Sequence, residues 1–427
     1  MQNAADNSPL LAIMLGAGNR GFDVYGNYAL EHPDQLKFIA VSDSDPAKLE
    51  RFGNAHNIPF EFRFSSWQDA LKNTEATVVF ICLPDALHET AAIKTLNAGF
   101  HLMLEKPVAS TLEGTLRVEA AARDANRVVM LGYVLRYTPF FQTVRELVQS
   151  GTLGEVVTIS WRENVWSLHM AHSFVRGNWG NISRSSPMIL AKCSHDLDLL
   201  GWITGKRISD LSSFGNLQHF KPENAPENAP ERCLDGCPVE DSCIFHAAKI
   251  YLTENTDWPT STISADMSLD ARKQALETTN YGRCVYRMDN DVVDNQVVSF
   301  AFEDGGSGTL TMHGHSAEEG RTIRIDGTKA TLRGAFNASL QELRLEPHGA
   351  GFDGGEVIGL LASNTAGGRH GGGDDGLTAA FIHAVQNRQV QPISSYLESH
   401  FLAFAIELAR LENRVINMSE FRQNLEP

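Results

Sequence analysis

The sequence predicts an α/β protein in two parts: a doubly wound parallel sheet, then an α+β domain on an open, mainly antiparallel sheet. Three observations carry this expectation. Apolar runs alternate with helix-like stretches through residues 1–135. Short turns join strand-like runs within residues 136–427. The length of 427 residues exceeds one ordinary domain.

The elements follow in order. Leu10–Gly16, Lys37–Asp43, Thr77–Leu83, His101–Glu105 and Arg127–Tyr133 read as strands. The run TVVFICL is apolar at nearly every position, as a strand covered on both faces must be. Pro84–Ala98 reads as a helix stopped by Gly99. In the second part, Gly151-Thr-Leu-Gly154 turns the chain into VVTISW, and Glu303–Ser307 joins QVVSFAF to SGTLTMH. Asp326-Gly327 sits between TIRI and KATLRG as a hairpin signal. Helices are expected on one face of this sheet, and His400–Arg410 reads as an amphipathic helix. An irregular, cysteine-containing insertion is expected over about 218–262, with the unpacked repeat PENAPENAP inside Lys221–Pro230. Residues 367–376, GGRHGGGDDG, read as a glycine-rich loop entering a helix at Leu377.

Composition narrows the function classes. Asp and Glu number 52 against 36 Lys and Arg, a net charge of −16, so a phosphate-backbone footprint is missing. Nucleic acid and acidic membrane surfaces are therefore excluded as expected partners. No window approaches the ~20 apolar residues of a membrane span. The start MQNAADNSPL lacks the basic and apolar regions of a secretory signal. Six cysteines are too few for a disulfide scaffold, which points to a cytoplasmic enzyme.

The first strand ends in Gly16-Ala-Gly18-Asn19-Arg20-Gly21, a GxGxxG turn between a strand and a helix. Gly16 permits the tight turn, Gly18 lets backbone N–H groups approach a pyrophosphate, and Gly21 lets the helix pack on the sheet. The helix N-terminus adds partial positive charge. Asp43 closes the second strand, where a carboxylate suits two ribose hydroxyls and repels a 2′-phosphate. The pattern predicts NAD rather than NADP. The alternative is a plain βαβ turn with a surface aspartate.

With Leu11–Gly21, Asp43, Leu83-Pro84, His88 and Glu105-Lys106-Pro107 in order, the chain resembles the Gfo/Idh/MocA family (glucose–fructose oxidoreductase, inositol dehydrogenase, MocA). The stretch HETAAIKTLNAGFHLMLEKPVA carries the most specific likeness. GYVLRYTPFFQTVRELVQSGTLGEV, SHDLDLLGWITG, GGGDDGLTAAFI and ESHFLAFAIELAR extend it over nearly the whole chain. The resemblance implies a Rossmann domain, then a domain whose large open sheet often builds homodimers or homotetramers. It implies a nicotinamide cofactor, a sugar, polyol or glycoside substrate, and an active site in an interdomain cleft. Asn19, Arg20, Leu83, Pro84, His88, Glu105 and Lys106 join the glycines and Asp43 as expected cofactor contacts.

Oxidising an alcohol by hydride transfer needs a base for the hydroxyl proton and a cation or donor beside the developing alkoxide. By family likeness, Lys106 touches the reacting hydroxyl and the nicotinamide ribose, and His195 is the catalytic histidine. An imidazole has the right basicity for that work near neutrality. One departure stands out: the family often places an aspartate four residues before this histidine, and here that position is Ala191. An NAD-dependent sugar or polyol dehydrogenase is the expected activity. The alternatives are a glycoside hydrolase that oxidises, eliminates, adds water and re-reduces, acting on an acidic sugar, and an inactive NAD-binding regulator.

Trp166–Trp179 supplies expected substrate contacts in His172, Arg176 and Trp179, with His169 nearby in sequence. Arg suits a carboxylate or sulfonate and Trp a sugar face; Lys192 is expected to join Arg176 in a cationic pocket. A structural loop with a buried Trp is the bland alternative. Cys233, Cys237 and Cys243 hold half of all cysteines within eleven residues. Zinc or an iron–sulfur cluster is one expectation for them, with His246, Cys193 or Cys284 as fourth ligand; free thiols or a disulfide are the others.

Overall fold

The computed structural model describes residues 8–72, 75–337, 341–349, 356–359 and 369–425. Contacts between residues divide the chain into two units, 1–139 with 363–400, and 140–362 with 401–427. The sequence pattern changes at 135/136; it carries no sign that 363–400 returns to the first unit.

The first unit holds a six-stranded parallel sheet: β1 (Leu10–Leu15), β2 (Leu36–Ser42), β3 (Arg63–Phe64), β4 (Val78–Ile81), β5 (His101–Leu104) and β6 (Val129–Leu131). Their order is β3-β2-β1-β4-β5-β6. It reverses direction between β1 and β4, the point where open α/β sheets bind ligands at their carboxyl edge. The five expected apolar runs are β1, β2, β4, β5 and β6, while the two-residue β3 has no such run to announce it; Ala12–Leu15 and Val78–Ile81 are wholly buried. Phe38, Phe80 and Phe381 pack edge to face at 5.3–5.5 Å, the last from the helix Gly373–Gln386. That helix starts at Gly373 rather than at Leu377, because two consecutive glycines at positive φ, Gly371 and Gly372, end the preceding turn. Helix Asp85–Asn97 ends before Gly99 at φ +85°, as expected.

The second unit holds β7 (Val156–Trp166), β8 (Ile208–Asn216), β9 (Asn295–Phe302), β10 (Ser307–Ser316), β11 (Gly320–Gly327), β12 (Ala330–Asn337), β13 (Gln341–Pro347), β14 (Glu356–Gly359) and β15 (Ile416–Asn417). The nine-stranded order is β14-β13-β12-β11-β7-β10-β9-β8-β15. The two hairpins read from sequence, β9–β10 and β11–β12, are antiparallel. β7 pairs parallel with β10, the one parallel ladder described in this second sheet, since β7 enters the sheet between strands that follow it by well over a hundred residues. Val298, Phe300 and Phe302 are buried on one face, while Val297 faces outward.

The insertion between β8 and β9 is better packed than its composition suggests. Phe220 is 1 % exposed, and Cys233, Ala247, Tyr251, Ile263 and Leu276 form a small core of their own.

Candidate active site

The glycine turn after β1 divides its tasks. Gly16 stands at φ +94°, and a Cβ there would strike the Cys82 carbonyl oxygen. A Cβ on Gly21 would strike the Gly16 carbonyl oxygen. These two glycines serve the protein's own packing. Gly18 does not: a Cβ there meets nothing within 4 Å, and its φ of −75° suits any residue. Its bareness leaves room at the start of the turn Asn19–Gly26, as a closely approaching pyrophosphate requires. Asp43 lies beside it, accepting the Ala17 N–H at 2.8 Å and the Asp45 N–H at 2.9 Å. The carboxylate is thereby aimed from the end of β2 toward the glycine turn. The donor set fits an adenine dinucleotide.

Arg20 is turned to the protein. Its Nε meets Glu105 Oε1 at 2.7 Å and its Nη1 meets Asp374 Oδ1 at 2.8 Å. Tyr25 also donates to Glu105 Oε1, at 2.8 Å. Burial pushes the Arg20 guanidinium down, but Asp374 and Glu105 more than offset this and hold it well above its ordinary value. Glu105 therefore braces the edge of β5 against the cofactor turn.

Lys106 stands two residues past the end of β5, and the backbone that follows it is held by two histidines. His88 sets Nδ1 against Pro107 O at 2.6 Å and Nε2 against Leu83 O at 2.7 Å. His88 thus ties the β4 loop, with Leu83-Pro84, to the β5 loop. His400 accepts the Val108 N–H on Nε2 at 2.9 Å and sets Nδ1 3.2 Å from the Tyr133 hydroxyl. Burial pushes His400 down to about 3, so it is neutral and Nδ1 carries the proton. Sequence reading missed His400 and Asp374; they lie 292 and 354 residues from their partners, with no local signal.

In the second unit, His195 lies in helix Ser194–Thr204, half-buried. A separate short helix, Met188–Ala191, ends before it, so Ala191 and His195 do not share one helix face. The expected aspartate position is a buried alanine, 2 % exposed. The nearby charge comes from elsewhere. Lys192 lies 2.5 Å from Glu319 and 3.2 Å from Glu163, and Arg321 lies 2.7 Å from Glu163 and 2.8 Å from Asp196. The register of β7 on β11 sets Glu163 directly opposite Arg321. The Trp161 indole N–H donates to Asp196 at 2.8 Å. Burial pushes Glu163 up to about 7 against the pull of Arg321 and Lys192. Burial also works to raise Glu319, but Lys192 and His169 hold it well below the usual carboxylate range.

The expected substrate residues all have partners within the protein. His172 is buried, its Nδ1 2.8 Å from the Tyr251 hydroxyl and its Nε2 3.0 Å from the Thr262 hydroxyl; burial pushes it down to about 3. Arg176, 1 % exposed, donates to the carbonyls of Arg283 and Phe245 at 2.8 Å each. Trp179 packs on Phe174. Lys192 has Glu319 and Glu163, so no cationic pocket with Arg176 forms.

The metal expectation is corrected. Cys233, Cys237, Cys243 and Cys284 line one small cavity with His246, and all are free. Among the described residues, no group of three or more His, Cys, Asp or Glu is arranged to hold a metal. The thiols do gather, but to other ends. Cys233 belongs to the insertion's apolar core and takes an N–H of Arg176 at 3.5 Å. Burial raises the Cys243 and Cys284 thiols, and His246 Nε2 donates to the Cys233 carbonyl. Neither zinc nor an iron–sulfur cluster is supported. No helix among the described residues is long and apolar enough to cross a membrane.

A parallel sheet with a reversal point and a glycine turn braced by a strand-end carboxylate is the form of a dinucleotide-binding domain. The chain belongs to the Gfo/Idh/MocA family: the family's NAD-binding Rossmann-fold oxidoreductase profile matches residues 10–133, and its C-terminal domain matches residues 141–247. The chain is 22% identical over 333 residues to a putative oxidoreductase YteT of Bacillus subtilis (strain 168), covering 75% of each. It is 32% identical over 169 residues to D-glucoside 3-dehydrogenase of Escherichia coli (strain K12), 38% of this chain and 45% of that one. It is 26% identical over 203 residues to inositol 2-dehydrogenase of Corynebacterium glutamicum (strain R), 46% of this chain and 54% of that one. The fold is shared, at TM-score 0.65 and 18% identity, with scyllo-inositol dehydrogenase of Lactobacillus casei, solved with NAD(H) and scyllo-inositol; 96% of this chain and 100% of that one are covered. The WlbA dehydrogenase of Bordetella pertussis, solved with NADH and UDP-GlcNAcA, gives 0.67 at 17% identity, covering 97% and 99%.

Proposed function

We propose that the protein is an NAD-dependent dehydrogenase that oxidises a secondary hydroxyl of a sugar, cyclitol or glycoside. The observation that carries this reading is the pinned Lys106. Lys106 stands two residues past the end of β5, at the carboxyl edge of the sheet, and the backbone that follows it is held through Pro107 and Val108 by two histidines. A cation so placed steadies a developing alkoxide. Gly18 and Asp43 hold the dinucleotide, on the turn that Gly16 and Gly21 shape, and the dinucleotide supplies hydride acceptance. His195 takes the hydroxyl proton. Relatives named for inositols and glucosides support the substrate class.

The test gives the protein NAD with a panel of inositols and methyl glycosides and follows nicotinamide absorbance. At least one substrate is expected to reduce NAD. Lys106→Met and His195→Ala are each expected to lower kcat by about 100-fold or more. Full turnover in both variants overturns the assignment. Release of an aglycone with no net absorbance change would replace it with redox-cycling glycoside hydrolysis.

A further inference from the structure

Cys233, Cys237, Cys243 and Cys284 are free thiols lining one small cavity with Arg176 and His246, and neither a metal nor the cofactor turn accounts for their gathering. The cavity measures about 10 Å³, room for about one water. Backbone register decides which of the four can meet. Cys233 and Cys284 flank the bridge that pairs Arg232 with Arg283. The Cys233 N–H donates to the Gly282 carbonyl and the Cys284 N–H to the Glu231 carbonyl, each at 2.9 Å. The two cysteines are therefore diagonal neighbours across an antiparallel pairing. Such neighbours stand roughly 7–8 Å apart at Cα, past the ~7 Å reach of a disulfide. Cys243 is folded into a turn of its own, its N–H on the Val239 carbonyl at 2.9 Å. Burial raises its thiol, which slows its ionisation and its exchange.

Cys237 differs from both. It is half-exposed, so a small solute in water reaches it. It follows Cys233 by four residues around a tight turn. There the Asp235 N–H donates to the Arg232 carbonyl at 3.2 Å, and Gly236 at φ +79° reverses the chain. The Cys233 sulfur is buried and takes an N–H of Arg176 Nη2 at 3.5 Å. That guanidinium is itself pinned by the carbonyls of Arg283 and Phe245. A fixed cation beside a sulfur meets the negative charge the sulfur develops as it attacks.

We propose that Cys233 and Cys237 are a reversible oxidation site, closed to a disulfide by hydrogen peroxide. The exposed Cys237 sulfur attacks one peroxide oxygen and the O–O bond breaks. The sulfur gives up an electron pair and becomes a sulfenic acid, and the displaced oxygen leaves as water with the thiol proton. The Cys233 sulfur then attacks Cys237. The S–S bond forms, the S–O bond breaks, and the hydroxyl leaves as a second water with the Cys233 proton. Peroxide is reduced to water, and a pair of thiols becomes one disulfide. A dithiol reductant reopens it by exchange. The site needs neither NAD nor a sugar, so it stands or falls independently of the dehydrogenase reading.

The test takes the full-length protein, reduced and freed of reductant, and treats it with a small excess of hydrogen peroxide. Intact mass, thiol titration under denaturing conditions and peptide mapping follow the change. The mass is expected to fall by a pair of hydrogen atoms, and the six free thiols to fall to four. The bridge is expected to map to Cys233 and Cys237, and dithiothreitol to restore every thiol. Cys233→Ala and Cys237→Ala should each abolish the bridge, while Cys284→Ala leaves it intact. Cys237→Ala changes a half-exposed position, so its thermal unfolding should match the parent and its result is free of folding loss. The site is overturned if all six thiols survive, or if sulfur gains oxygen with no bridge. A bridge that maps to another pair, or that joins separate chains, overturns it equally.

Discussion

Replacing Arg321 by Met tests the charge network behind Lys192. The guanidinium is 8 % exposed and bridges Glu163 at 2.7 Å and Asp196 at 2.8 Å. Both carboxylates are completely buried. After the change, Glu163 keeps Lys192 at 3.2 Å and Asp196 keeps the Trp161 N–H at 2.8 Å. Met fills most of the vacated volume, so the cavity contribution is small. The dominant cost is a buried carboxylate pair stripped of its main cation, about 3–5 kcal/mol. The loss depends on pH in a definite direction. Burial already raises Glu163 to about 7 in the folded protein, above its ordinary value. Without Arg321 it rises further. A carboxyl raised by folding contributes stability at low pH, lost as pH climbs toward the folded value. The deficit should therefore be larger near about pH 8.5 than near about pH 7, changing by up to roughly 1.4 kcal/mol per unit across that window, and level off below about 7. Urea unfolding followed by tryptophan fluorescence at both ends of that range measures it. A deficit under about 1 kcal/mol at the high end, or one that grows on acidification, refutes the reasoning.

Three further outcomes follow from the first unit. Asp43→Ser should raise the KM for NAD by about 10–100-fold through loss of charge-assisted ribose bonds and improve use of NADP; an unchanged cofactor preference contradicts the ribose role. His400→Leu strands the buried Val108 N–H and should cost about 1–3 kcal/mol, with a lower kcat at nearly constant NAD affinity; equal effects on both parameters would argue against a role confined to Lys106. Gly18→Ala should leave thermal stability unchanged, since its Cβ meets nothing within 4 Å, yet weaken NAD binding measured by fluorescence titration; a large loss of stability would contradict that open space.

The strand ends and glycine turn of the first unit were largely readable in the chain. Gly16, Gly18, Gly21, Asp43, Glu105 and Lys106 lie next to strand ends, and strand ends announce themselves through apolar runs and glycines. The side-chain clusters of the second unit were not. His172 and Arg176 look like substrate contacts in composition but are buried on their own neighbours. Three clustered cysteines look like a metal site, yet they line a small cavity with a fourth free thiol and an arginine. Residue type states what a side chain can do; only packing states whether it meets solvent or a protein carbonyl.

By itself the sequence determined the parallel sheet, five of its six strands, the hairpins of the second sheet and the glycine turn. All of these rest on patterns that repeat within about twenty residues. Tertiary structure alone decided that β7 lies between β10 and β11, which sets Glu163 against Arg321, and that His400 and Asp374 return to brace Lys106 and Arg20. The reason is physical: periodicity and turn chemistry are local, whereas ion pairs and buried hydrogen bonds join whichever distant groups the folded backbone brings within about 3 Å.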